Sequence, residues 1–435
     1  MAFQRTTIFI LLLACCLRLA AAAYVHRQNA SSATVFRFGD SDSYWVLGSQ
    51  IAQGKPYQYG SEHARIFRAP LMPILLAPFT VFEDQAAGVW WARVLGCLLG
   101  TFAVWEVMLL TQRLGGGAAA TIAGLIAACS PSAIGMSVVV LSEILLVPLM
   151  LLHLLLWQSA WLAKRKYTWV TCAMLAGMVA GTATLARPSW LLFTPFLTCV
   201  GLLVGPQRIK HLQIGAVTML GIAMVMTPWW IRNAQITGRF VLTTLQVGPS
   251  LYDGLHAGAS GASDEGMAFM QQIVAEQIAE DARTSTPLEG TLEYRVNRRA
   301  QRLAVAWALG HPAEVLRLSW VKFCRMWTLW PAGAEVASPS VRLGITLGSF
   351  GILLLAIVAT LINWKSMSWN MAICWLPCLY FTLLHMVFVS SIRYREPAVV
   401  VLAALAGCAI AKFLWGDRIP TGRHGRDIGT CTDKP

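Results

Sequence analysis

Phe38-Gly39-Asp40-Ser41-Asp42-Ser43-Tyr44-Trp45 sets two carboxylates two positions apart beside aromatic rings, in a chain where only 13% of residues are charged. The stretch follows a first hydrophobic segment, close to where a membrane surface is expected. Paired acids there serve either chemistry or a helix cap. With Asp40 or Ser41 as N-cap, Tyr44, Leu47, Gly48 and Ile51 fall at i, i+3, i+4 and i+7. That spacing makes one face of a short amphipathic helix lying along a bilayer. The capping and catalytic readings are compatible, and these residues alone leave both open.

Working outward, the chain has 435 residues, 56% of them hydrophobic, 18 Trp and a mean hydropathy of +0.58. That is too apolar for a soluble globular protein of this length and marks an all-α polytopic membrane protein. The net charge of +13 does not point to nucleic acid, because no compact basic domain is visible and much of the Lys and Arg lies in short loops between apolar runs. Cys15, Cys16, Cys97, Cys129, Cys172, Cys199, Cys374, Cys378 and Cys408 all fall in apolar runs without a CxxC or a Cys/His cluster. They read as small buried hydrophobes rather than disulfide or metal ligands.

The first apolar run covers residues 6–24. Ala20 to Ala23 resemble a signal-peptidase site, but the run is long enough to span and contains Arg18, so we expect a retained first helix with Arg18 snorkelling or facing a polar interior. Ala69 to Phe79 is apolar yet holds Pro70, Pro73 and Pro78, which argues for a re-entrant or interfacial segment. Further apolar stretches cover 88–110, 117–134, 136–157, 168–186, 190–205, 211–231, 343–362, 369–389 and 397–415. With the first run they make about ten spans at roughly 20 residues each, some shorter.

Loop charge sets the orientation. With a cytoplasmic N-terminus, the inside loops carry Arg113, then Lys164, Arg165 and Lys166, then Arg208 and Lys210, then Lys365, and the tail with Arg418, Arg423 and Arg426. Every inside loop is basic, as the positive-inside rule requires. This puts 25–86 and 232–342, the two long hydrophilic segments, outside. We therefore expect a transmembrane catalytic module over 1–231 that includes the outer loop 25–86, an extracytoplasmic loop domain over 232–342, C-terminal transmembrane helices over 343–415, and a disordered cytoplasmic tail over 416–435. Short loops suggest a bacterial plasma membrane. No internal repeat is visible, which weighs against many secondary-transporter folds.

Glu143 lies near the outer end of a hydrophobic span, where a carboxylate is costly and is a functional hypothesis unless an interhelical hydrogen bond accounts for it. Arg65, Arg68, Arg187, Arg232, Arg393 and Arg395 sit on the same side. Outer arginines run against the orientation rule. Their planar donors suit phosphate oxygens, so a converging set would hold a phosphate or pyrophosphate head group. The plainer reading of each one is lipid anchoring in an aromatic belt, as beside Trp229 and Trp230. His63 and His256 are outer, solitary and more easily read as structural. The segment with Asp264-Glu265-Gly266 and a helix-like stretch over about 290–329, rich in Arg and Trp, reads as a cover over the site or a solvated lid.

An ordered series of motifs resembles the GT-C superfamily of polytopic glycosyltransferases, in the branch of protein O-mannosyltransferases and lipid A aminoarabinose transferases. The series is Asp40 to Tyr44 with Gly54-Lys55-Pro56-Tyr57, Phe67-Arg68-Ala69-Pro70-Leu71-Met72-Pro73, Ala92-Arg93, Leu141-Ser142-Glu143 and Leu185-Ala186-Arg187-Pro188. It continues with Pro228-Trp229-Trp230-Ile231-Arg232-Asn233, Gly248-Pro249-Ser250-Leu251-Tyr252 and Arg393-Tyr394-Arg395-Glu396-Pro397. No single motif is specific; the order over about residues 8–412 is.

The resemblance implies a GT-C-like helix bundle with short amphipathic helices in its outer loops, and transfer of a sugar from a polyprenyl-phosphate carrier to an extracytoplasmic protein, lipid or glycan. Asp40 matches the family's first-loop acid; the usual adjacent Glu is replaced by Ser41, with the second acid displaced to Asp42. Positions two apart on a helix face opposite ways, so Asp40 is chosen as the general base. Glu143 matches the second acidic position and Arg68 the basic residue tied to the carrier phosphate. The expected catalytic residues are Asp40, Asp42 and Glu143. The expected substrate-binding residues are Tyr44, Tyr57, Arg65, Arg68, Arg187, Arg232, Asn233, Tyr252, Arg393 and Arg395. No cofactor is required in this scheme, Mg or Mn at Asp40, Asp42 and Glu143 being the variant. The rival readings are a transporter or flippase for a polyprenyl-linked sugar, which uses the same arginines without a base, and a ligase or polymerase acting on a pyrophosphate-linked oligosaccharide.

Overall fold

The computed structural model describes residues 2–30, 35–36, 38–264, 266–331 and 338–416. The tail with Arg418, Arg423 and Arg426, and Glu265, lie outside the described residues. Every regular element among those described is helical. The first half runs α1 (Ala2–Ala30), α2 (Gly39–Ala52), α3 (Leu71–Leu76), α4 (Gln85–Cys129), α5 (Pro131–Val138), α6 (Glu143–Leu162), α7 (Lys166–Ala186), α8 (Phe193–Val204) and α9 (Arg208–Thr237). Four shorter helices follow, α10 (Val247–Gly254), α11 (Phe269–Arg283), α12 (Leu292–Gly310) and α13 (Pro312–Trp327), and then α14 (Pro339–Ile362), α15 (Trp369–Val387) and α16 (Ile392–Trp415).

Among the described residues 8 helices are long and apolar enough to cross a membrane. The difference from about ten has two sources. The runs 88–110 and 117–134 are counted together as α4, which turns back at Gly116 (φ 77°), a conformation that only glycine adopts at low cost; a Cβ on Gly124 would lie 2.7 Å from the Met108 side chain, so the two runs remain separate antiparallel arms. The run 190–205 lies in a short apolar helical segment, Pro188–Val204, below the roughly 20 residues of a full span. The expected span 136–157 is displaced: residues to Val138 belong to α5 and the next helix starts at Glu143. The prolines of 70–79 give a short α3 and a 3-10 turn packed under α2, so this segment does not span.

Lipid needs no polar cover, so large apolar side chains on α1 (Ile8, Phe9, Leu12) and α14 (Leu347, Phe350, Leu354) are left exposed. Cys16, Cys129 and Cys199 are also exposed, whereas Cys97, Cys374 and Cys378 are buried, so only some of the cysteines are core hydrophobes. Close helix approach uses small residues instead. A Cβ on Gly177 of α7 would lie 2.0 Å from the Thr218 carbonyl oxygen of α9, and one on Gly407 of α16 would lie 2.7 Å from that of Ala119 in α4.

Arg18 faces a polar interior. It is 1% exposed and donates to the carbonyls of Ala127 and Ala128, both at 3.3 Å, and to Ser137 Oγ at 3.2 Å. Those carbonyls end α4, where the break at Ser130 leaves them without an intrahelical partner, and a buried chain must satisfy them. The stretch expected as one helix over 290–329 is two, turning at His311-Pro312, since proline suits a first helical turn and not an interior. Lys322 of α13 is fully buried and donates to Gly254 and Val387 carbonyls, both at 2.8 Å, tying the short helices to the end of α15.

Candidate active site

Helix order alone brings the acids and arginines to one end of the bundle. α6 begins at Glu143, α7 ends beside Arg187, and α16 begins one residue before Arg393. Lys164, Lys166, Arg208 and Lys365 lie at the opposite ends of these and neighbouring helices.

α2 starts at Gly39, with Phe38 in the N-cap position and no side-chain cap bond. Neither Asp40 nor Ser41 is the cap. Asp40 is in the first turn, and its carboxylate is taken by guanidinium groups instead: Arg68 Nη2 lies 2.5 Å from Oδ1 and Arg393 Nη2 lies 2.7 Å from Oδ2. Charge-assisted bonds from two fixed cations outcompete a local backbone donor. Arg68 Nε also donates to Ser43 Oγ at 3.1 Å. The expected buried face of α2 is present, with Tyr44, Leu47 and Gly48 in the core. Burial alone would push the Asp40 carboxyl up; Arg68 and Arg393 outweigh it and hold the group well below the usual carboxylate range.

Glu143 is 1% exposed. Arg187 Nη1 is 2.7 Å and Arg393 Nε 2.6 Å from its Oε1, while the Ser142 hydroxyl donates to Oε2 at 3.3 Å and itself accepts from Arg187 at 3.3 Å. The guanidinium carbons of Arg187 and Arg393 both lie over the Tyr394 ring, at 5.1 and 5.3 Å. His385 backs that ring, stacked at 4.3 Å. Two acids and three arginines thus form one network across α2, the loop before α3, α6, α7 and α16.

The network opens on a cavity of about 600 Å³, with Asp40, Arg68, Arg393 and Tyr394 on its floor and residues of 59–68 and α10–α12 around it. Glu143 and Arg187 stand one layer behind. The other nominated residues lie elsewhere. Asp42 is exposed and does not line the cavity, but accepts from the hydroxyl of Tyr59, a cavity residue, at 3.3 Å. Tyr57 donates to the Arg68 carbonyl at 3.1 Å, and Arg232 to the Arg65 carbonyl at 3.1 Å while lying over Tyr57 and Trp229. The Arg65 guanidinium turns to the Glu62 carbonyl at 3.2 Å, and Asn233 to that of Thr243 at 3.4 Å. Tyr252 stacks on His256. Of these, Tyr57, Arg65 and Arg232 bond within or to the loop that presents Arg68. Arg395 is fully buried, with Nη1 2.8 Å from the Met326 and 2.6 Å from the Thr328 carbonyl oxygens, and so caps the end of α13.

Asp40, Asp42 and Glu143 do not form a metal-ligand set. Asp42 bonds to Tyr59, the oxygens of Asp40 face guanidinium groups, and no cluster of three or more His, Cys, Asp or Glu suited to a metal occurs among the described residues. Sequence reasoning missed Glu293, whose carboxylate lies on the cavity and accepts from the Arg65 and Ile66 backbone amides at 2.9 and 3.1 Å. It sits amid the polar residues of α12, where no local pattern marks it out. Tyr394 and Ser142 were within quoted motifs but carried no expected role; an aromatic between two arginines was the available signal.

No protein-family model and no curated protein matches the chain. Solved structures do. Archaeal oligosaccharyltransferase AglB from Archaeoglobus fulgidus, in complex with an inhibitory peptide and a dolichol-phosphate, is similar over 93% of this chain and 50% of its own, at 14% identity and a TM-score of 0.55. The apo form of the Archaeoglobus fulgidus oligosaccharyltransferase is similar over 92% of this chain and 50% of its own, at 13% identity and a TM-score of 0.54. ArnT from Cupriavidus metallidurans bound to undecaprenyl phosphate aligns over 92% of this chain and 78% of its own at 14% identity, but with a TM-score of 0.40 the likeness is too loose to argue from. The chain spans about half the length of the archaeal proteins. What it shares with them is the fold, a bundle of membrane-length helices with shorter helices at one end.

Proposed function

We propose that this chain is an inverting glycosyltransferase that moves a sugar from a polyprenyl-phosphate carrier to an acceptor on the extracytoplasmic face of the membrane. The observation that carries the reading is the convergence of Arg68 and Arg393 on Asp40 at the cavity, with Glu143 and Arg187 behind them in the same network. Such a set has cations for a phosphate and an acid beside it for the acceptor. The fold shared with an oligosaccharyltransferase solved with dolichol-phosphate supports a lipid-linked donor. The basic residues at the far helix ends support an extracytoplasmic site.

In the reaction, the acceptor oxygen bonds to the anomeric carbon as the bond from that carbon to the phosphate oxygen breaks. The electron pair leaves on the phosphate, and the acceptor proton passes to Asp40. A departing phosphate is a weak base, so charge stabilisation by Arg68 and Arg393 replaces a proton donor. Both guanidiniums now face Asp40. An arriving phosphate competes for their donors, of which each Arg has five, and loosens their hold on one Asp40 oxygen. The base then gains basicity only when donor is present. Glu143, anchored by Arg187 and buried, keeps Arg393 aimed during that exchange. No step is routed through a metal.

Within this reading, residues 1–231 with 343–415 form the catalytic membrane module and 232–342 cover it. The test uses purified protein in liposomes with polyprenyl-phosphate sugars. Donor consumption with a glycosylated product is expected; movement of intact donor across the bilayer without product would refute the transferase.

A further inference from the structure

Away from the charged floor, the cavity has a second wall with a different chemistry. Tyr59 stacks on Phe67 with ring centroids 5.4 Å apart and planes 11° from parallel, and the Arg68 guanidinium lies 4.6 Å from the Phe67 ring centroid. Met267 and Met270 extend this apolar surface from the α10–α11 side. Of the two carboxylates that line the cavity, Asp40 is taken up by arginines and Glu293 is not.

Glu293 is held firmly. Its Oε1 accepts from the Ile66 amide at 3.2 Å, and its Oε2 from those of Arg65 and Ile66 at 2.9 and 3.1 Å. A carboxylate has about four lone-pair sites, so two donors leave capacity facing the cavity. Ile66 stands two residues before Arg68, which places the carboxylate within roughly 10 Å of the Arg68 Cα at about 3.6 Å per residue. That is the reach of a sugar ring and its linkage. The reaction proposed above leaves this group unused.

We infer that Glu293 and the Tyr59–Phe67 stack form the acceptor subsite, and that the acceptor is a glycan unit: its apolar ring face lies on the aromatic platform while a ring hydroxyl or amino group donates to Glu293. The wall favours this over a peptide, since it presents a ring-sized apolar surface and a fixed acceptor oxygen, and no strand edge for an extended backbone exists among the described residues. Calling this ligand the acceptor rests on the sugar-transfer reading; the subsite itself does not.

The test is binding, with the full chain in lipid nanodiscs and saturation-transfer NMR. The probes are p-nitrophenyl glycosides, a threonine-containing peptide and undecaprenyl phosphate. Glu293→Gln keeps an oxygen for the Arg65 and Ile66 amides, so the loop stays in place while the charge is lost. We expect glycoside binding to the wild type, weakened at least tenfold by Glu293→Gln and by Tyr59→Leu, with undecaprenyl phosphate bound within twofold of wild type by both variants. Glycoside binding that is unchanged in Glu293→Gln and falls only in Glu293→Ala would make Glu293 a strut and overturn the inference. Binding of the peptide and not the glycosides would overturn it as well. Failure of the wild type to bind undecaprenyl phosphate would count against the donor assignment alone, because the glycoside measurement is read independently.

Discussion

Asp40 and Glu143 share one guanidinium. Arg393 donates from Nη2 to Asp40 at 2.7 Å and from Nε to Glu143 at 2.6 Å, joining residues 353 and 250 positions away in the chain. The acids would repel each other without it, and each retains only one other arginine, Arg68 for Asp40 and Arg187 for Glu143.

Arg393→Ala therefore lowers stability, by less than the roughly 3–5 kcal/mol seen when a buried charge loses all compensation, because those two arginines remain. Arg393→Lys keeps the charge but loses the fork that reaches both acids. Thermal unfolding in detergent is expected to rank wild type above Lys and Lys above Ala. Equal melting temperatures for all three would show that the bridge contributes nothing to stability.

Asp40→Asn is expected to lower sugar transfer by about 10²-fold or more, the usual scale for losing a general base, while the protein still inserts and binds its lipid donor. Asp42→Asn, at an exposed position outside the cavity lining whose amide oxygen still accepts from Tyr59, is expected to stay within about twofold of wild type on the scale of exposed-site changes. Radiolabelled sugar transfer measures both. Full activity in Asp40→Asn would remove the base assignment.

The two cavity acids respond to pH in opposite directions. Asp40 is depressed by Arg68 and Arg393 despite burial, so its stabilising contribution is present above the ordinary value of 3.8 and is lost as pH falls through the folded-state value. Glu293 is raised from 4.5 to about 7, burial outweighing the Ile66 and Arg65 amides and the Arg232 guanidinium. Its favourable contribution is complete below 4.5 and is lost as pH rises through about 7. The melting temperature of Glu293→Gln relative to wild type is thus expected to rise between pH 5 and pH 8. A constant difference would mean that Glu293 titrates normally.

Close packing in the bundle has its own test. A Cβ at Gly177 falls 2.0 Å from the backbone oxygen of Thr218, whereas one at Gly351 meets nothing within 4 Å. Gly177→Val is expected to destabilise by at least the roughly 1–3 kcal/mol of an overpacked core, since backbone must move. Gly351→Ala is expected to be neutral or stabilising by up to about 1 kcal/mol. Melting temperatures of the two variants decide it.

Hydropathy, loop charge and the spacing of prolines made the membrane class, the helix bundle and the short segment at 70–79 legible, because each depends on residues near one another in the chain. The break at Gly116 was hidden within Gly115-Gly116-Gly117, since glycine permits a sharp turn without requiring one. Within the candidate site, the placing of Asp40, Arg68, Glu143, Arg187 and Arg393 at one end followed from counting spans.

The sequence by itself determined which end of which helix each charge occupies, through alternation of apolar runs and basic loops. Only the tertiary structure decided which charges meet. Arg393 and Arg395 are two positions apart and look alike in sequence, yet a helix turns them to different sides, one to Asp40 and Glu143 and the other to the last carbonyls of α13. Glu293 became part of the cavity because α12 docks on the loop at Arg65 and Ile66. Such pairings depend on contacts between segments hundreds of residues apart, and no local pattern of polarity records them.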